Sequence, residues 1–163
     1  MTEAELNDLI SCPKQITKAT PAKGYEEADG YRRKKLEVEE KAADRAYSVF
    51  IRQNTTFIEN FSIGLRYNTQ KKHTGAVTLV RYNGPHGEES RSEDGHYAAP
   101  HIHRITADEM NSGNTEPQES HREITDKYSS LEEALVEFFK EVGVQDYSKH
   151  FPDLSQSNLG DVF

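Results

Sequence analysis

Three runs of apolar residues, spaced like the strands of a meander, constrain this chain more than any other feature. AYSVFIRQ (46–53), NFSIGLRYN (60–68) and GAVTLVRYNG (75–84) alternate or run apolar over strand length. Between them fall Asn54, Asn60, Lys71, Lys72 and Gly75, residues suited to turns. Strands joined this closely pair antiparallel. YRRKKLEVEE (31–40) alternates Leu36 and Val38 with Glu37 and Glu39 and reads as a charged edge strand. PHIHRIT (100–106) and HREITDKY (121–128) are weaker strand candidates, separated by the polar stretch ADEMNSGNTEPQES.

Such a sheet needs a cover, and the C-terminal third supplies one. In SSLEEALVEFFKEVG, Ser130 and Glu133 form a capping pattern, Leu131, Leu135, Phe138 and Val142 make an apolar stripe, and Gly143 marks the stop. At the other end Thr2 and Glu5 cap a short helix carrying Leu6, Leu9 and Ile10, which Pro13 ends. The reading is therefore α+β: an antiparallel meander of five to six strands, a C-terminal helix packed on one face, and a short N-terminal helix. It is organised as a single domain over 1–163, with an N-terminal helix and loop (1–30), the sheet (31–128), the helix (129–143) and a tail (144–163). LRYN (65–68) and VRYN (80–83) recur in consecutive strands, too close for a repeat unit. In a hairpin the two copies are expected near opposite ends of the ladder.

Composition narrows the function classes. Twenty basic against 28 acidic residues give a net charge of −8, which argues against broad phosphate-driven binding of nucleic acid but leaves room for a local basic groove. The single cysteine, Cys12, allows neither an internal disulfide nor a cysteine zinc cluster, and suits a reducing compartment. No run approaches the ~20 apolar residues of a membrane-spanning helix, and the acidic start lacks a signal peptide's order. A cytoplasmic protein with no cofactor and no membrane partner is the expectation. Walker A, dinucleotide-binding glycine, Gly-x-Ser-x-Gly, His-Glu-x-x-His and EF-hand patterns are absent from the sequence.

The chemistry that remains lies in GHYAAPHIHRIT (95–106). Alternation puts His101 and His103 on one strand face, where two imidazoles suit acid–base work near neutral pH or, with further ligands, a metal. RYNGPHGEES (81–90) places His86 in a loop after a core strand, and that loop could bring His86 or His96 to the pair. Arg66 and Arg81 sit inside apolar strands and could hold phosphate through their planar forks, Arg81 sharing a face with Val77, Leu79 and Asn83. Tyr67, Tyr82 and Tyr97 could stack bases.

Gly95, five residues, His101, one residue and His103 resemble the opening of the first metal motif of cupins. The resemblance implies a metal held by His101, His103 and an acidic residue at the fourth-spaced position, here Asp108. The sequence departs from the motif there, since Glu109 lies one place further on, the closing glycine is misplaced, and no proline-glycine-histidine motif follows.

Three functions are therefore open. The plainest is a binding module acting on another protein, regulatory or defence-related. The second is a metal-independent, RNase-like enzyme with catalytic His101, His103 and His86, and with Arg66, Arg81, Tyr82 and His96 binding substrate RNA. The third is a metal protein using His101, His103 and Asp108.

Overall fold

The computed structural model describes residues 1–40, 42–69, 75–85 and 99–154. In chain order the elements are α1 (Glu3–Ser11), β1 (Gln15–Thr20), β2 (Glu26–Ala28), β3 (Tyr31–Glu40), β4 (Arg45–Asn54), β5 (Phe61–Asn68), β6 (Ala76–Asn83), β7 (His101–Arg104), α2 (Ala107–Asn111), β8 (Arg122–Ile124), α3 (Leu131–Val142) and α4 (Tyr147–His150). The strands form one eight-stranded antiparallel sheet in the order β1-β3-β4-β5-β6-β7-β8, with β2 also paired to β3. The α+β meander with its two terminal helices is thus the observed architecture.

Two expectations change. The stretch 15–28, read as loop, forms β1 and β2, which lie end to end along the ten residues of β3. That makes β3 an interior strand, paired on both sides. Among the described residues the sheet path runs from β1 to β8. Val144 and Leu154, placed in a tail, are buried, and the tail carries α4.

One face of the sheet is the core. Leu36, Val38, Val49, Ile51, Ile63, Leu65, Val80, Tyr82 and Ile102 are buried there with Leu6, Leu9, Leu135, Phe138 and Phe139 of α1 and α3. Period-two alternation selects these positions on the strands, and the 3.6-residue period selects them on the helices. Ser130 caps α3 by accepting from the Glu133 N–H, and Gly143 ends it in the left-handed conformation, φ 75°. A Cβ at Gly143 would meet the Cys12 carbonyl at 2.4 Å, so both conformation and space demand glycine.

Buried Lys14 ties the two helices together. Its Nζ donates to the Ile10 and Cys12 carbonyls at 2.8 and 3.0 Å and to the Val142 carbonyl at 2.8 Å. Carbonyls at two helix ends thereby find a donor. On β7 and α3, Arg104 makes a forked pair with Glu141, which also accepts from the Tyr82 hydroxyl. Among the described residues, no helix is long and apolar enough to cross a membrane.

Candidate functional site

The opposite face of the sheet carries polar residues in register. Across β4 to β7, Arg52 pairs with Ser62, Ser62 with Asn83 and Asn83 with His101. One row along, Phe50 pairs with Gly64, Gly64 with Arg81 and Arg81 with His103. Directly paired residues share a face, so these rows are continuous lines of side chains. Gly64 lets the Phe50 ring lie flat on the sheet, because a Cβ there would come 2.2 Å from the ring.

His101 and His103 sit side by side as expected, but they are not a solvated face. Both are 0% exposed, with ring centroids 5.2 Å apart and planes at 82°. His101 is held at both nitrogens: Nδ1 lies 3.0 Å from the Ala99 carbonyl and Nε2 lies 3.4 Å from the Asn83 amide, which in turn is fixed by the Ser62 hydroxyl at 2.7 Å. His103 differs. Neither ring nitrogen makes a hydrogen bond of good geometry among the described residues, although the Gln118 backbone approaches the ring and, with Glu119, favours its protonated form. Its Nε2 lies 3.6 Å from the Glu119 carboxylate, and Arg81 donates to the same carboxylate at 2.9 Å. Burial, and then the positive charge of Arg81, push the His103 pKa below its usual value. Partial burial raises the Glu119 carboxyl, but the Arg81 hydrogen bond and His103 outweigh it and hold the group below the usual carboxylate range.

Glu119 arrives from a segment anchored by Glu109. Thr106 and Glu109 form a reciprocal capping box at α2. The nearly buried Glu109 carboxylate also accepts from the Gln118 N–H at 2.8 Å and lies 3.0 Å from His121 Nδ1. This fixes the chain just before Glu119. Glu116, on the same segment, lies 3.7 Å from Arg66 and 4.0 Å from Arg81. Phe50, Arg52, Ser62, Arg66, Arg81, Asn83 and Glu119 line a cleft of about 340 Å³.

The structure therefore brings Arg66, Arg81, His101 and His103 to one region and separates other candidates from it. Tyr82 follows Arg81 on β6 and so points to the other face, into the core, against Phe138 and Tyr128 at 5.3 and 5.4 Å. A residue and its neighbour on a strand cannot both face one ligand. Tyr67 packs on Tyr47 on that same core side. Asp108 is exposed on α2, and among the described residues no three His, Cys, Asp or Glu side chains gather closely enough to hold a metal ion. His86, His96 and Tyr97 lie outside the described residues.

The sheet register also corrects one parity argument. A bulge at Leu79 lets Leu65 face Val80 while Arg66 faces Thr78. Arg81 consequently lies on the face opposite Val77, while the LRYN and VRYN copies occupy opposite halves of the ladder as expected, meeting only at Leu65 and Val80. Glu119 is invisible among ordinary polar residues in the sequence; only the Thr106–Glu109 capping pattern hints that its segment is held.

The fold and this cluster define an antiparallel α+β protein with an arginine, a carboxylate and a buried imidazole in contact. No protein-family model, curated protein or solved structure matches the chain.

Proposed function

We propose that this protein cleaves RNA by metal-independent transesterification. Composition alone favours an interaction module. The observation that favours chemistry is His103, a buried imidazole with no hydrogen bond of good geometry among the described residues, 3.6 Å from a carboxylate that Arg81 also holds. An unpartnered buried polar group costs stability and calls for a reason. Acid–base work is one that fits an imidazole beside a carboxylate and an arginine.

In this reading the Glu119 carboxylate stands where an anion is welcome. An incoming phosphate takes the forks of Arg81 and Arg66, and Glu119 turns to the adjacent 2′-hydroxyl. Glu119 accepts the 2′-hydroxyl proton as the 2′-oxygen attacks phosphorus. The P–O5′ bond breaks, and the His103 imidazolium, buried in the free protein and uncovered as Glu119 turns, gives its proton to the departing 5′-oxygen. The products are a 2′,3′-cyclic phosphate and a 5′-hydroxyl. Burial first, and then Arg81, favour neutral His103 in the free protein; the phosphate offsets the Arg81 charge and so helps to draw a proton onto the ring. His101, fixed by Asn83 and Ala99, positions His103 through their edge-to-face contact.

The test is cleavage of a labelled RNA in EDTA. Wild type should cleave, and Glu119→Gln and His103→Ala should each lose ~10²–10⁴-fold in rate. If wild type leaves RNA intact between about pH 4 and 8, the chemistry is wrong and the interaction module stands.

A further inference from the structure

The cleft beside His103 does not end at β5. A second cleft of about 490 Å³ continues across β4 to β3 and shares Phe50, Arg52 and Arg66 with the first. Arg33, Lys35, Arg52, Arg66 and Arg81 line the two, against the carboxylates of Glu26 and Glu119. This balance is the reverse of the whole chain's, which is −8. Among the described residues, Arg33, Lys35 and Arg52 make no ion pair, whereas Arg45 and Arg104 on the same sheet each do.

Arg33 and Arg52 are, moreover, direct cross-strand partners. Like charges placed opposite each other destabilise a sheet; Glu26, the partner of Arg33 on β2, offsets this for Arg33, while Arg52 faces Ser62 on its other side. Both guanidinium groups instead flank the Tyr31 ring, at 5.5 and 5.0 Å from its centre, and Arg66 lies 4.8 Å from the centre of the Phe50 ring. Aromatic faces interleaved with cations along an extended groove are the arrangement that holds an unpaired polynucleotide, with rings for its bases and cations for its phosphates. From β3 to β7 the groove spans four strand spacings, about 19 Å.

We infer that this trough is a track for single-stranded RNA, leading from Tyr31, Arg33 and Arg52 past Phe50 to the Arg81–His103 end. The inference deepens the proposed function by naming its substrate class, and it rests on that reading for the cleavage step alone. A duplex fits poorly, because its bases are stacked on each other and unavailable to Phe50 and Tyr31.

Binding separates the track from the chemistry. The probe is a fluorescent, 2′-O-methylated RNA of about eight nucleotides, which cannot undergo transesterification, followed by anisotropy across a salt series. Wild type should bind it at least tenfold better than the corresponding duplex. The double variant Arg33→Ser/Arg52→Ser removes two cations and a repulsive pair together with the Arg33–Glu26 pairing, and circular dichroism checks that it folds. It should flatten the log K against log salt slope by about 1.4, at ~0.7 for each phosphate no longer neutralised. Phe50→Ala should weaken binding about tenfold at unchanged slope. An unaltered slope in the double variant, equal affinity for duplex, or equal competition by a glutamate-rich peptide would each overturn the track. If the track variants behave as stated while no unmodified RNA is cleaved, the track stands and the proposed chemistry fails. If RNA is cleaved and the variants bind normally, the reverse holds.

Discussion

Replacing His103 by leucine should make the protein more stable while abolishing its activity. The neutral ring carries one N–H donor and one acceptor nitrogen, both buried and neither in a hydrogen bond of good geometry among the described residues. Each such group left unsatisfied costs ~1–3 kcal/mol. Leucine removes both penalties, and its imperfect shape match returns up to ~1.5 kcal/mol. A net gain of at least ~0.5 kcal/mol follows, or at least about 1 °C in Tm for a chain of this size. The pH dependence sharpens the argument. Because the folded His103 pKa is lowered from 6.5, the unfolded chain binds its proton more readily between the two values. Wild-type stability is therefore present above about pH 6.5 and is lost as pH falls toward the folded pKa, at up to ~1.4 kcal/mol per pH unit. The leucine variant lacks this loss, so its advantage should grow on acidification. Urea unfolding of both proteins at about pH 7.5 and 5.5 measures it. A variant less stable by more than about 1 kcal/mol, or a gap that does not widen in acid, would mean that His103 is an ordinary, satisfied core residue.

Three further outcomes follow from the same geometry. The kcat/KM profile should be a bell lying on the acid side of neutrality, since Glu119 must be ionised, His103 protonated, and both pKa values are lowered from 4.5 and 6.5; a plateau extending above pH 7 would contradict the assignment of His103 as acid. Glu109→Gln should loosen the segment carrying Glu119, which raises the His103 pKa, and so should move the alkaline limb downward while costing ~1–3 kcal/mol of stability; a lower stability with an unmoved limb would leave Glu109 a purely structural residue. Phe138→Ala should cost ~3–5 kcal/mol in urea unfolding, because Phe138 is fully buried between α3 and the sheet, and a loss below about 1 kcal/mol would make the helix peripheral.

Much of the frame is legible in the sequence because it is local. The α3 stripe with Ser130 before it and Gly143 after it, and the alternation of β4 to β6, each lie within one element. β1 and β2 escape notice for physical reasons: a bulge between Ile16 and Lys18 breaks the period of two, and Glu26, Glu27 and Ala28 are all exposed. The pairing of His101 with His103 on one face follows from strand geometry. Their burial does not, and neither does the approach of His103 to Glu119, since Glu109 sets it through bonds to Gln118 and His121. Arg33 reads as part of a charged edge strand until register places it opposite Arg52. Non-local register, not composition, makes the site.

The most direct measurement uses a short RNA carrying one 2′-deoxy residue at a position the wild type cleaves, with end groups of the products read by mass spectrometry in EDTA. The mechanism predicts fragments ending in 2′,3′-cyclic phosphate from the all-ribose strand, no cleavage 3′ of the deoxy residue, and neither product from the His103→Ala protein. Cleavage at the deoxy position, or cyclic-phosphate ends formed at the wild-type rate by His103→Ala, would contradict it.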